Sequence, residues 1–163
     1  MNLVVMQPYF FPYIGYFSLF DVADTFIIYD DVSYKKKGWI NRNNFWSYSG
    51  PQLFTLPVQN ASQHKKICEL EFSDFSTTKN NFFSLLKHSY SKAPHYRETL
   101  AFLEEVFDYQ SKNLADFLSH SLLKTVRYLD ISVEVVRNSV APRGLNLSGE
   151  DRIIEIAKEC GAR

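Results

Sequence analysis

Long apolar runs are missing from this sequence. Nothing in it approaches the roughly 18 to 20 residues that cross a bilayer, and no basic segment followed by an apolar stretch and a small-residue cleavage site opens it. The expectation is a soluble, cytoplasmic protein that is not secreted. Cysteine is scarce as well: Cys68 and Cys160 are too few for a disulfide framework. His64, His88, His95 and His120 have no metal-type spacing with them, so no metal site is expected, and neither a P-loop nor a Gly-x-Ser-x-Gly elbow occurs. An excess of either charge is also lacking. The 18 basic and 18 acidic residues cancel, which leaves no global field to draw the chain onto nucleic acid or a membrane, and any anion site must be local. Repeats, low-complexity tracts and linkers are absent, and 163 residues make one domain, 1–163, with room for a sizeable core.

Rings are what the sequence has in plenty. Aromatics make up 16% of the chain, with 14 Phe and 10 Tyr, more than a minimal core of this size requires. Some belong in a pocket or in an interface, which includes one between copies of the chain. They are densest in QPYFFPYIGY, residues 7–16, directly after the apolar run Leu3–Met6. Surface loops are ordinarily polar, so this one reads as built to hold something.

The hydrophobic pattern gives an α/β chain. Leu3–Met6 reads as a strand covered on both faces, Gly15–Val22 as a helix and Thr25–Tyr29 as a β-branched, aromatic strand ending at Asp30-Asp31. Strand, helix, strand in about thirty residues is a βαβ unit, hence a parallel sheet with a right-handed crossover. Residues 33–52 are polar and mixed, broken at Gly50-Pro51, and Leu53–Val58 reads as a further strand. A helix-rich segment follows at about 78–129, with periodic stretches at 78–90, 95–108 and 113–129. Asn113 and Asp116 are placed to cap the last of these, and 131–136 alternates as a strand. Ser148-Gly149-Glu150-Asp151 fits a capping pattern ahead of a final helix closed by Gly161. A helix that closes this way in an α/β protein ordinarily feeds another strand, which reads the chain as C-terminally truncated.

Four groups of residues are candidates for a site, each with a plainer alternative. The first βα turn lies at the carboxyl end of a strand, where open α/β sheets put ligands. There Pro8 and Pro12 stiffen the backbone, Gly15 permits close approach, and Tyr9 and Tyr16 offer stacking surface. The alternative is an aromatic plug over the sheet end, against which stands Gln7, a two-way hydrogen-bonding group with no place in a plug. Asp30 and Asp31 could turn a carboxylate toward the same crevice, where a cation would relieve their repulsion, or could be a solvated strand end. Lys35, Lys36, Lys37 and Arg42, interleaved with Trp39, Asn41, Asn43 and Asn44, read either as a phosphate clamp or as a solvated face. His95, after Lys92-Ala93-Pro94, and Arg152, in the first turn of the last helix, are the remaining candidates, the alternative for a helical histidine being an ordinary surface or core residue.

QPYFFPYIGYF followed by FIIYDDVSYKKKGWINRN resembles the WbqC-like protein family, bacterial proteins often encoded among genes for O-antigen and other surface polysaccharides. The resemblance continues through Leu56-Pro57-Val58, Lys92-Ala93-Pro94 and Asp151–Ile156. Members run on past that helix into a further strand and a terminal region. More distantly, the opening is similar to the nucleotidyltransferase-like superfamily that includes pantothenate synthetase, which implies a Rossmann-like parallel sheet with a helical insertion. Those enzymes place a pair of histidines on ATP phosphates at the first helix. Here Pro12-Tyr13-Ile14-Gly15-Tyr16 occupies that stretch, so the imidazoles of ordinary adenylyl transfer are missing.

The resemblance implies an enzyme of surface-polysaccharide assembly, a transferase or ligase that acts on a nucleotide-linked amino sugar by adding an aminoacyl or acyl group to its amine. Its cofactor is unknown. Gln7, Pro8, Tyr9, Gly15 and Tyr16 would shape the pocket, with Trp39, Asn41, His95 and Arg152 as further substrate-binding residues. Lys36, Lys37 and Arg42 would hold phosphates, and Asp30 or Asp31 would serve as general base or bind a sugar hydroxyl. A non-catalytic nucleotide-sugar binding module is the alternative, and a nucleic-acid-modifying protein is a third that a flat salt response excludes.

Overall fold

A computed structural model of the chain describes residues 1–162. The strands β1 (Leu3–Met6), β2 (Thr25–Ile28) and β5 (Glu134–Arg137) form a parallel sheet in the order β1-β2-β5. β1 and β2 lie side by side in the register Leu3↔Thr25 to Met6↔Ile28, as the βαβ reading requires. Helix α1 (Ile14–Val22) connects them. All four residues of β2 are buried, since a central parallel strand is covered on both faces. Alternation sends Phe26 and Ile28 toward α1 and α4 (Leu114–Tyr128), where they pack with Tyr16, Phe17, Phe20, Leu122 and Val126. The Phe20 and Phe26 rings stack with centroids 3.6 Å apart. Leu3 and Val5 border a cavity of about 660 Å³ shared with Ile153 and Ala157 of α5 (Gly149–Glu159). The architecture is α/β and Rossmann-like.

A second core lies outside this sheet. There α2 (Phe75–Tyr90), α3 (Tyr96–Phe107) and the start of α4 pack around Phe82, Phe107 and Phe117, and Phe10 from the first loop joins them fully buried. Phe82 is the hub, with ring contacts to Phe10, Phe11, Phe45, Phe54, Phe83 and Phe107. The loop therefore fastens two cores together, Phe10 in one and Tyr16 in the other.

Two expectations need correction here. Residues 33–52 are not a plain loop: β3 (Arg42–Ser47) pairs antiparallel with β4 (Gly50–Thr55), closed by Tyr48-Ser49 and by Gly50 at φ +102°. The strand expected at 53–58 thus begins and ends earlier, because Phe45 and Phe54 seat the hairpin on Phe82. The second correction concerns Ser148, which precedes α5 in extended conformation without any hydroxyl capping bond. Two further bounds shift: α2 starts at Phe75 and not at 78, because Asp74 caps it through Thr77 N at 3.0 Å, and the strand expected at 131–136 is β5, Glu134–Arg137. Two ends behave as read: Asn113 caps α4 through Asp116 N at 3.0 Å, and Gly161 takes φ +68° where α5 closes.

Candidate functional site

Asn43 organises the aromatic loop. Its side-chain amide donates to the carbonyls of Phe10 and Phe11, and its own Oδ1 accepts from Asn44 N at 2.8 Å. Phe11 is thereby held at φ +42°, a strained region for a bulky residue that persists only where the surroundings impose it. Phe10 N donates to Ile40 O at 2.9 Å and ties the loop to the segment before the hairpin.

Two cavities flank this point, with Asn43 and Asn44 in the wall of both. The smaller, about 300 Å³, is lined by Tyr9, Pro12, Tyr13 and Trp39. The larger, about 420 Å³, opens between the loop, β3 and the α2–α3 turn and is walled by Phe11, Phe45, Phe82, Tyr90, Pro94 and His95. Both have the size and the largely apolar lining of small-molecule sites. Lys37 stands at φ +60° and its carbonyl accepts from Arg42, whose guanidinium lies 5.5 Å from the Trp39 ring. Lys35, Lys36 and Lys37 are exposed.

Of the residues singled out from sequence, Tyr9, Trp39 and His95 line these cavities and Arg42 stands beside Trp39. Others support the loop without reaching the cavities. Pro8 is buried. The Gln7 carbonyl accepts from Tyr16 Oη at 2.6 Å, while its side chain makes no hydrogen bond among the described residues. Tyr16 is buried, and that burial, followed by neighbouring Tyr9, pushes its phenol far above the ordinary range. Gly15 lies beneath the Tyr13 ring, which a Cβ would overlap. Asn41 is buried and spent, accepting from Tyr34 Oη at 2.8 Å and donating to Leu56 O at 2.7 Å. Those contacts tie its side chain into the fold.

The acid pair lies outside both of these cavities. Asp30 is fully buried and accepts from Arg137 Nε at 2.9 Å, Ser139 N at 2.9 Å and Ser139 Oγ at 2.6 Å. Asp31 accepts from Asn138 Nδ2 at 3.0 Å and pairs with Arg152, which also lies over the Tyr29 ring. Arg137 reaches on to Asp116 of α4. Burial opposes the charge on Arg137, but the hydrogen bonds it donates to Asp116 and Asp30 outweigh it and raise its pKa further. Two arginines thus clamp the carboxyl end of the sheet to α4 and α5, and neither acid lines either of the two cavities beside Asn43. Asn138, Ser139 and Arg137 had no sequence signal, being ordinary residues at the end of a short strand. Asn43 and Asn44 did stand in the basic, aromatic stretch, yet their role depends on the hairpin. No group of His, Cys, Asp or Glu among the described residues has metal-binding geometry.

The WbqC-like protein family matches residues 7–163. The chain belongs to the WbqC-like protein family. The match begins at Gln7, so it takes in the aromatic loop, the hairpin and both clamping arginines of this WbqC-like chain. The uncharacterized protein Rv1507c of Mycobacterium tuberculosis is 32% identical over 139 residues, which cover 84% of this chain and 60% of that protein. The WbqC-like chain thus spans about 60% of the length of the curated relative it matches. No solved structure matches it.

Proposed function

We propose that this WbqC-like protein binds a nucleotide-linked amino sugar in surface-polysaccharide assembly, and that it serves acyl or aminoacyl transfer to the sugar amine. The observation that carries the reading is the meeting of two ring-walled cavities at Asn43-Asn44, with Arg42 over the Trp39 ring of the smaller one and bonded to the carbonyl of Lys37. Rings of Tyr9, Tyr13 and Trp39 stack on a base or on the C–H face of a sugar. The Asn44 amide makes no side-chain bond among the described residues and is free to read a polar edge, while Lys36, Lys37 and Arg42 take the diphosphate. The larger cavity then receives the acceptor sugar and incoming acyl group. His95 is the one imidazole in its lining among the described residues, and it takes the amine proton as the amide bond forms and the donor's leaving group departs. Asp30 and Asp31 position the sheet end in this scheme, since their oxygens already accept from Arg137, Ser139, Asn138 and Arg152.

A second reading, a binding module without chemistry, is favoured by that same engagement of the acids and by the lack of an activated nucleophile in the cavities. Calorimetric titration with a uridine-diphosphate amino sugar, followed by mass spectrometry after adding acetyl coenzyme A or an amino acid with ATP, separates the readings. Binding with a new amide product supports the enzyme. Binding without product supports the module, and no binding to wild type, or equal binding by Trp39→Ala, sinks both.

A further inference from the structure

The zero net charge conceals a sharp segregation. From Val32 to Cys68 there is not one acidic residue, while Lys35, Lys36, Lys37, Arg42, Lys65 and Lys66 all fall in that stretch. None of the six is in an ion pair among the described residues. The fold gathers them: Ser33 bridges to Lys66, and Tyr34 N donates to Lys65 O at 2.8 Å, which sets Lys65-Lys66 alongside the Lys35–Lys37 turn. All 18 acids lie elsewhere, so the rest of the molecule is correspondingly negative.

The same arm carries an unpartnered apolar face. Strand alternation turns Phe45 inward onto Phe82 and leaves Asn44 and Trp46 outward, opposite Leu53 and Pro51 of β4. Trp46 is 70% exposed, Tyr48 82% and Leu53 54%. Trp39 and Tyr13, also exposed, continue the row, since both border the small cavity together with Asn44.

The geometry points to an anionic lipid surface as the partner of this face. Trp and Tyr settle at the headgroup level of a bilayer, and Leu53 and Pro51 add aliphatic area that dips below it. Each lysine near an anionic leaflet contributes about 1 kcal/mol, and the acid-free stretch from Val32 to Cys68 concentrates six cations on this arm. Single-stranded nucleic acid fits less well, because bases stack on rings in a groove, whereas Trp46, Tyr48 and Leu53 stand on an exposed two-stranded ribbon. The inference does not depend on what fills the cavities.

The test is vesicle co-sedimentation of the whole chain with phosphatidylglycerol-rich and with pure phosphatidylcholine vesicles, together with titration of a fluorescent oligo-dT. Wild type binds the anionic vesicles and not the zwitterionic ones. Trp46→Ser with Tyr48→Ser lowers vesicle affinity by about tenfold, and Lys65→Ala with Lys66→Ala by about fivefold per lysine. Circular dichroism and melting temperature stay at wild-type values in both variants. The inference is overturned if wild type ignores anionic vesicles at about 0.1 M salt. It is equally overturned if the aromatic double variant binds as wild type does, or if oligo-dT binds while vesicles do not.

Discussion

At the scale of the residue, the two side chains with the most to say are an asparagine and a histidine, neither of them catalytic. Asn43 holds two carbonyls of a loop that Phe10, Tyr16 and the prolines also fix. Asn43→Ala should destabilise the fold by about 2 kcal/mol, because two part-buried acceptors lose their donor while the strain at Phe11 remains. A denaturant midpoint shift without a change in slope checks this, and the same variant should lose ligand affinity as the shared wall of the cavities relaxes. His120 stacks on Tyr109 at 4.2 Å and 7°, and burial, followed by Lys124 and Arg127, lowers its pKa below the ordinary 6.5. A base held neutral in the fold contributes stability that is full above the unfolded value and is lost as pH falls through 6.5 toward the lower folded value. The melting temperature of wild type should therefore fall on going from pH 7 toward pH 5, and His120→Gln should flatten that part of the curve. An unchanged slope in His120→Gln would assign the loss to other groups.

At the scale of the element, what the sequence reveals is periodicity and capping, and what it hides is anything held by distant packing. The parallel pair β1 and β2, helix α1 and the three helices of the central segment were legible because Leu, Val, Ile and Phe recur at the right period. The hairpin was not. Arg42-Asn43-Asn44 has low strand propensity, and only Phe45 and Phe54 meeting Phe82 across the chain make these residues extended. Phe82→Ala should thus cost about 3 to 5 kcal/mol and loosen hairpin and loop together. Hydrogen exchange is the measurement: protection should fall in Arg42–Thr55 as well as in α2, and a loss confined to α2 would deny Phe82 that role. Asn113 acts at a boundary that was legible, and its reach was not. Besides capping α4 it donates to Cys68 O at 2.7 Å, so Asn113→Ala should cost more than the usual cap, about 2 kcal/mol in a urea melt.

At the scale of the whole molecule, the sequence indicated where a site should be but not which residues would be free to act in it. Both acids after β2 were visible, yet the arginines that occupy them come from 107 and 121 residues further on, a separation no local pattern records. The loop, by contrast, keeps Tyr9 at a cavity because its neighbours Phe10 and Tyr16 are local anchors into the two cores. The clamp has a thermodynamic signature. Arg152 and Asp31 are both largely buried, so removing one leaves an uncompensated charge, which costs about 3 to 5 kcal/mol, whereas replacing both leaves none. Arg152→Met alone should therefore unfold well below wild type, and Asp31→Asn with Arg152→Met should recover most of the loss. Because Arg152 and Ile156 are the buried residues of α5, the single variant should also release that helix first, seen as fast exchange across Gly149–Glu159 while β2 stays protected. If the double variant is instead as unstable as the two singles added together, the pair is not coupled and the clamp is held by Ile156 and the loop before it.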